Sequence, residues 1–211
     1  MLPAQLLTIA AKCVIRPGLL KNSKTYGGAD MLELQPAVRE TGVDTTGNAS
    51  TPYFVKQSAY AGAGFKAYIV DYDEGKLNYQ VLGNEANLCF TTTINGCTFS
   101  LGQPAGDGTL IVSHTNMKSD KMDKDDLPAR GGDDQSTFQG KVARQFHGSG
   151  TMVDPSVYWA GGDRSGGNKI NITVFGVNDG GWKFYYQRWT FKGGVNTLLG
   201  LVAVGTSNVV F

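Results

Sequence analysis

Apolar and polar positions alternate with a period of two along much of the chain. Leu77, Tyr79 and Val81 alternate with Asn78 and Gln80, and Ile170, Ile172 and Val174 alternate with Asn171 and Thr173. This period predicts half-buried β-strands. Residues 65–72 (FKAYIVDY) are rich in β-branched and aromatic side chains, and the turn signal Asp73-Glu74-Gly75 follows them. Segments 65–72 and 77–82 therefore predict a β-hairpin. A second hairpin is predicted from 170–175, through Asn178-Asp179-Gly180-Gly181, into 182–191, which carries six aromatics in ten residues. Further strands are predicted at 31–35, 87–93, 97–101 and 109–115. Segment 195–204 fits a strand pair or a short helix. The apolar start, residues 1–16, reads as a first core element, either helix or strand. Segments 18–30, 41–52 and 102–108 read as loops.

One stretch breaks the pattern. Residues 118–134 hold six acidic and four basic side chains, which reads as a solvated loop with at most a short helix. Asp123 and Asp125 have the alternation of a calcium loop, but the loop glycine and closing glutamate are missing, so that reading is set aside. Composition agrees with the strand pattern. Among 211 residues there are 29 glycines, 41% hydrophobic and 18% charged side chains. The glycines follow no Gly-X-Y period, so they read as turn chemistry between short strands. The formal net charge is +1, which argues against a protein that binds nucleic acid through a broad basic field. No apolar run is long enough to span a membrane as a helix. The apolar start has no basic segment before it, so no clear signal peptide is expected. With neither repeat nor composition break, residues 1–211 read as one β-rich domain. Its architecture is a sandwich of two sheets or a mixed α/β sandwich.

Reactive side chains are scarce: Cys13, Cys89 and Cys97, with His114 and His147. Their spacing matches no four-ligand zinc site, so neither metal nor cofactor is expected. Cys97 follows the tight-turn signal Asn95-Gly96 at the start of a strand, and His114 lies near the end of the next. In an antiparallel pair these positions are neighbours. A catalytic thiol needs an adjacent imidazole to take its proton. A glycine before the nucleophile leaves backbone N–H groups open to an oxyanion. Cys89, between Leu88 and Phe90, and Cys13, in the first element, read as core. His147, in FHGSG, is a weaker candidate for the base. The bland alternative is a buried structural cysteine beside a structural histidine.

At these residues the chain resembles a known family. The stretch 90–97, FTTTINGC, followed by the strand TLIVSHT, resembles the catalytic region of the glutamine deamidase toxins. That family includes the cytotoxic necrotizing factors and the Burkholderia lethal factor. It carries an L-S-G-C motif ending in the nucleophilic cysteine, with a histidine on a nearby downstream strand. Ile94-Asn95-Gly96-Cys97 is similar to this motif, with Ile for Leu and Asn for Ser. Thr91 falls six residues before the cysteine, where the lethal-factor branch has a threonine that orients the histidine. The spacing from Cys97 to His114 is longer than in the family, and the loop 102–108 can absorb the difference. The clear resemblance covers about 30 residues of the chain.

The resemblance implies an α/β fold with a central mixed β-sandwich flanked by helices and long loops, here as a single catalytic domain over 1–211. It implies deamidation of a specific glutamine in a host protein. Cys97 would be the nucleophile, His114 the base, Thr91 the orienting group, and the turn at Asn95 and Gly96 the oxyanion neighbourhood. The implied partner is a protein substrate, the translation-initiation RNA helicase ahead of a Rho-family small GTPase. Neither direct nucleic-acid nor membrane binding is expected. The implied protein is a monomeric bacterial effector, secreted or injected, that acts in the host cytosol. An amine in place of water would give transglutamination. Two other readings stand beside this one. One is a lectin-like β-sandwich module presenting Trp182, Tyr185, Tyr186 and Trp189. The other is a different cysteine hydrolase, such as a peptidase.

Overall fold

The computed structural model describes residues 1–18, 20–21, 28–58, 64–102, 110–117, 133–148, 150–159 and 169–205, without the side chains of 133–138. The chain opens with helix α1 (Pro3–Ala10), started by a proline in its first turn and by the Gln5 side chain, which accepts the Leu2 N–H. A proline there loses no hydrogen bond, because the first N–H groups of a helix have no internal partner. Strands β1 (Ile15–Pro17), β2 (Asp30–Pro36), β3 (Thr41–Val43), β4 (Ala49–Ser50), β5 (Tyr53–Gln57) and β6 (Phe65–Val70) follow. Next come β7 (Lys76–Leu82), β8 (Leu88–Thr91), β9 (Thr98–Gly102) and β10 (Leu110–Asn116), then helix α2 (Asp133–His147). After β11 (Thr151–Val153) and the short helix α3 (Pro155–Tyr158) come β12 (Ile170–Asn178), β13 (Trp182–Lys192) and β14 (Val195–Ala203).

The strands form two sheets. A ten-stranded mixed sheet runs β1-β5-β2-β6-β8-β12-β13-β14-β3-β4, and a four-stranded antiparallel sheet runs β11-β9-β10-β7. Between them lies a core that includes Tyr68, Val70, Ile94, Cys97, Phe99, Val112, Ile172 and Tyr186. A second core packs Leu6 and Ala10 of α1 on the outer face of the large sheet, against residues such as Ile69, Phe90 and Phe175. Helix α2 packs on the outer face of the small sheet, along β9 and β10. The layers are helix, sheet, sheet, helix, the β-rich α/β sandwich expected from sequence. β6 and β8, buried on both faces, pair in parallel and are nearly continuous apolar runs, as strands covered on both sides must be.

Several expectations need correction. Segments 65–72 and 77–82 do not form a hairpin. β6 pairs with β2 and β8, whereas β7 pairs with β10 in the other sheet. The segment 71–75 carries the chain across the roughly 10 Å between packed sheets. The predicted loop at 41–52 contains β3 and β4, which extend the large sheet beyond β14. Segment 195–204 is one strand, β14. It joins β13 through the two-residue turn Gly193-Gly194, in which both φ angles are positive, the conformation that a tight hairpin requires. The first element is a helix followed by a strand. Helices α2 and α3 and strand β5 were not anticipated. The hairpins 97–101/109–115 and 170–175/182–191 form as expected. Most of the charged stretch, with Asp123 and Asp125, lies outside the described residues, as do most of the loops 18–30 and 102–108.

Candidate functional site

The segment after β8 is where the chain changes sheets. Ile94 still belongs to the large sheet through a two-way bridge with Ile172 of β12, both N–H···O distances being 2.9 Å. Thr98 already belongs to the small sheet. Asn95, Gly96 and Cys97 make the crossing. Gly96 has φ +85°, a left-handed conformation that glycine adopts at no steric penalty. A Cβ there would meet only Trp159 at 3.7 Å, so conformation and not space explains the glycine. Exposed Asn95 anchors the turn to β12, its Nδ2 donating to Asn171 Oδ1 at 3.0 Å.

Tyr158, at the end of α3, closes the turn from inside the sandwich. The Gly96 N–H donates to its hydroxyl at 2.8 Å, and the hydroxyl donates to the Cys97 carbonyl at 3.0 Å. The Gly96 N–H, one of the backbone groups around Cys97 expected to hold an oxyanion, is thus already used by Tyr158. Asp154 starts α3 by accepting the N–H groups of Ser156 and Val157 at 2.8 and 3.3 Å, an N-cap arrangement. Arg188 Nε donates to the Tyr158 carbonyl at 3.1 Å. The tyrosine is therefore fixed at both ends.

Cys97 and His114 share a face of the small sheet. His114 stands opposite Phe99, and Thr115 opposite Thr98. Cys97 and Phe99 both enter the inter-sheet core, while Thr98 between them faces α2, its hydroxyl donating to Gln139 at 2.8 Å. Cys97 and His114 are thus diagonal neighbours, within reach of an aromatic-sized side chain. Both are buried, with 5% and 1% exposure. The His114 ring lies 5.4 Å from that of Tyr72, and the Tyr72 hydroxyl accepts from Asn116 Nδ2 at 3.0 Å. His114 Nδ1 lies 3.5 Å from the Thr92 hydroxyl, and Nε2 has no hydrogen-bond partner among the described residues. Thr91 was expected to orient the histidine by its side chain or its carbonyl; its hydroxyl donates to the Thr92 carbonyl at 2.8 Å, and the hydroxyl beside the ring is that of Thr92. Strand alternation, which places adjacent side chains on opposite faces, ends with β8 at Thr91, so spacing alone could not tell the two threonines apart.

Burial sets the electrostatics. It lowers His114 from 6.5 to about 4, because an imidazolium in an apolar site loses its hydration. His114 is therefore a neutral base at ordinary pH. Burial and the nearby Cys97 raise Tyr72, and the same two causes raise Tyr158 well above a free phenol. Cys89 is buried and its thiol is pushed far up, while half-buried Cys13 is raised by burial.

His147 is on the other side of the small sheet. Its Nε2 lies 2.8 Å from the Ser113 hydroxyl, which lies 2.7 Å from that of Ser100. Ser113 and His114 are consecutive on β10 and face opposite ways, so His147 cannot serve Cys97. Trp189 and Tyr186 are core side chains, Trp182 stacks on Phe184, and Tyr185 stacks on Phe175. They do not form the exposed aromatic platform that a lectin-like module would need. Among the described residues no His, Cys, Asp and Glu cluster could hold a metal ion, and no helix is long and apolar enough to cross a membrane. The groups that sequence reasoning missed are Thr92, Tyr158, Tyr72, Asn116 and Gln139. Tyr158 and Gln139 lie on helices remote in sequence from Cys97, so no local motif pointed to them. The chain matches no known family model and no curated protein.

Proposed function

We propose that the protein is a glutamine deamidase of the toxin type, a cysteine hydrolase acting on the carboxamide of one glutamine in a host protein. The observation that carries this reading is the placement of Cys97 and His114 on one face of a hairpin. Cys97 stands at the turn between the two sheets, and the nearby His114 is neutral with Nε2 unpartnered among the described residues. The resemblance of FTTTINGC and its downstream histidine to the deamidase toxins supplies the reaction class.

Cys97 Sγ attacks the glutamine Cδ, and His114 takes the thiol proton. The tetrahedral intermediate collapses with cleavage of the C–N bond. His114 returns the proton to the departing ammonia, leaving a thioester. Water, deprotonated by His114, then attacks the same carbon. The C–S bond breaks, the thiol is regenerated, and glutamate remains. A primary amine in place of water gives a transglutaminated product. The Thr92 hydroxyl stands beside Nδ1 and can hold the tautomer that leaves Nε2 able to accept the proton. No cofactor enters these steps. The proposed partner is the translation-initiation RNA helicase, with Rho-family GTPases next, and the proposed setting is a bacterial effector in the host cytosol.

The test is mass spectrometry of a host lysate treated with the wild type and with Cys97→Ala. Deamidation adds about 1 Da at a single glutamine, only with the wild type, and identifies the target. New chain termini would indicate a peptidase instead. Conversion by Cys97→Ala would end the proposal.

A further inference from the structure

Gln139 of α2 is completely buried against the outer face of the small sheet. Its Oε1 accepts the Thr98 hydroxyl at 2.8 Å, and its Nε2 donates to two backbone carbonyls, those of Gly96 and Met117, each at 3.3 Å. A primary amide has two donor hydrogens, and here each has its own acceptor. The two carbonyls come from different strands. Thr98 pairs with Thr115. Continuing that register by two places sets Gly96 against Met117, beyond the last ladder pair. Gln139 therefore stands where the next rung of the sheet would be. It ties the turn that carries Cys97 to the end of the strand that carries His114.

The consequence falls on the peptide before the nucleophile. The Gly96 carbonyl and the Cys97 nitrogen share one rigid plane. Tyr158 grips the turn from the inter-sheet side, through Gly96 N–H and the Cys97 carbonyl. Gln139 grips the carbonyl between those two groups from the α2 side. The pair holds three of the four N–H and C=O groups of Gly96 and Cys97, and with them the direction of the Cys97 side chain. The left-handed Gly96 makes this turn easy to re-route, so an external restraint has something to restrain.

We propose that Gln139 is a positioning residue for the nucleophile, acting across the small sheet from α2 to keep Cys97 in line with His114. The proposal rests on the Cys97–His114 reading. Gln139 touches neither side chain and acts through the Gly96–Cys97 peptide.

The test needs no knowledge of the target. p-Nitrophenyl acetate acylates a base-assisted thiol: the S–C bond forms, the ester C–O bond breaks, p-nitrophenolate leaves, and the thiol proton goes to the base. Iodoacetamide at about pH 10, where most thiols are ionised, reports access alone. Both are followed at Cys97 by mass spectrometry. Gln139→Met keeps the length and loses both donors, and Gln139→Glu keeps the Thr98 acceptor and can satisfy at most one of the two carbonyls. Both are expected to slow acylation at about pH 7 by about tenfold or more, while alkylation at high pH stays within about twofold. Thr98→Val removes the third hydrogen bond of the glutamine but leaves its grip on the carbonyls, and should acylate like the wild type. The two Gln139 variants guard against failure of one to fold. The proposal is overturned if the Gln139 variants acylate like the wild type, if both reagents slow in proportion, or if Thr98→Val is equally impaired. A wild type whose Cys97 resists acylation overturns this inference together with the reading beneath it. A reactive wild type matched by its Gln139 variants overturns this inference alone.

Discussion

His114 is held in a site that refuses its charge. Burial brings it to about 4, so protonation does not remove the base anywhere in the physiological range. The acid limb of Cys97 acylation is therefore expected near pH 4, with the rate almost unchanged between about pH 7.5 and 5.5. A pH–rate profile with a midpoint near 6.5 would mean a solvated imidazole and would contradict this site. The neighbouring turn makes a separate prediction. Gly96 needs its positive φ, and a Cβ would meet only Trp159 at ordinary contact distance. Gly96→Ala is then a test of conformation alone, expected to lower unfolding free energy by about 1–2 kcal/mol in urea titration. A neutral substitution would show that the turn can do without the left-handed conformation. The sequence motif was legible at this scale for Cys97, His114 and Gly96, because a short turn and a hairpin set their relation locally. Thr92 was not, since strand alternation stops at Thr91.

Among elements, pairing was legible where consecutive strands are neighbours in one sheet, as in β12–β13 and β9–β10. It failed where the chain changes sheets. The run 65–82 has the pattern of a hairpin, yet β6 and β7 belong to different sheets. Alternation reports which faces are buried and not which strand is the neighbour. Helix α3 was missed for another reason: it has four residues, too few for helical periodicity to register. Its function lies at its end, where Tyr158 clamps the Cys97 turn. Tyr158→Phe keeps the packing and removes the hydroxyl. The Gly96 N–H and the Cys97 carbonyl then lose that partner in a buried site, at a cost of about 1–3 kcal/mol. Stability should fall by that amount, and acylation of Cys97 should fall with it. Unchanged stability and unchanged acylation would show that the clamp is dispensable. Gln187 makes the same use of an amide on the other side of the fold. It accepts from Ile15 N–H and donates to the carbonyls of Ala10 and Cys13, and so ties α1 and β1 to β13. Buried glutamines of this kind hold elements together by contacts that no local sequence pattern reports.

In the whole molecule, four layers bury both histidines on opposite faces of one strand layer. His114 lies between the sheets, and His147, the last residue of α2, points from that helix onto the small sheet at Ser113. Burial lowers each from 6.5 to about 4. An unfolded chain takes up these protons near pH 6.5, and the folded chain only near 4. Acidification between those values therefore draws the equilibrium toward the unfolded state, and stability falls as pH drops through that window. For fully enclosed His114 a shift of this size corresponds to about 3 kcal/mol, a large share of an ordinary domain's stability; the less completely enclosed His147 contributes less. The carboxylates act elsewhere. Asp44 and Asp73 are lowered from 3.8, mainly by hydrogen bonds from Thr46 and Lys21 respectively, so what they contribute is lost only below that value. Urea unfolding at about pH 7.5, 6.5, 5.5 and 4.5 should show a falling midpoint across the histidine window, with most of the loss complete before the carboxylates titrate. His114→Gln and His147→Gln should each flatten that slope, because each removes one group that the unfolded chain would protonate. The two should also separate by effect. His114→Gln should abolish acylation of Cys97, whereas His147→Gln should leave it intact, because His147 meets Ser113 on the outer face of the small sheet and not the thiol. A slope that survives both substitutions would place the acid sensitivity in groups other than the histidines.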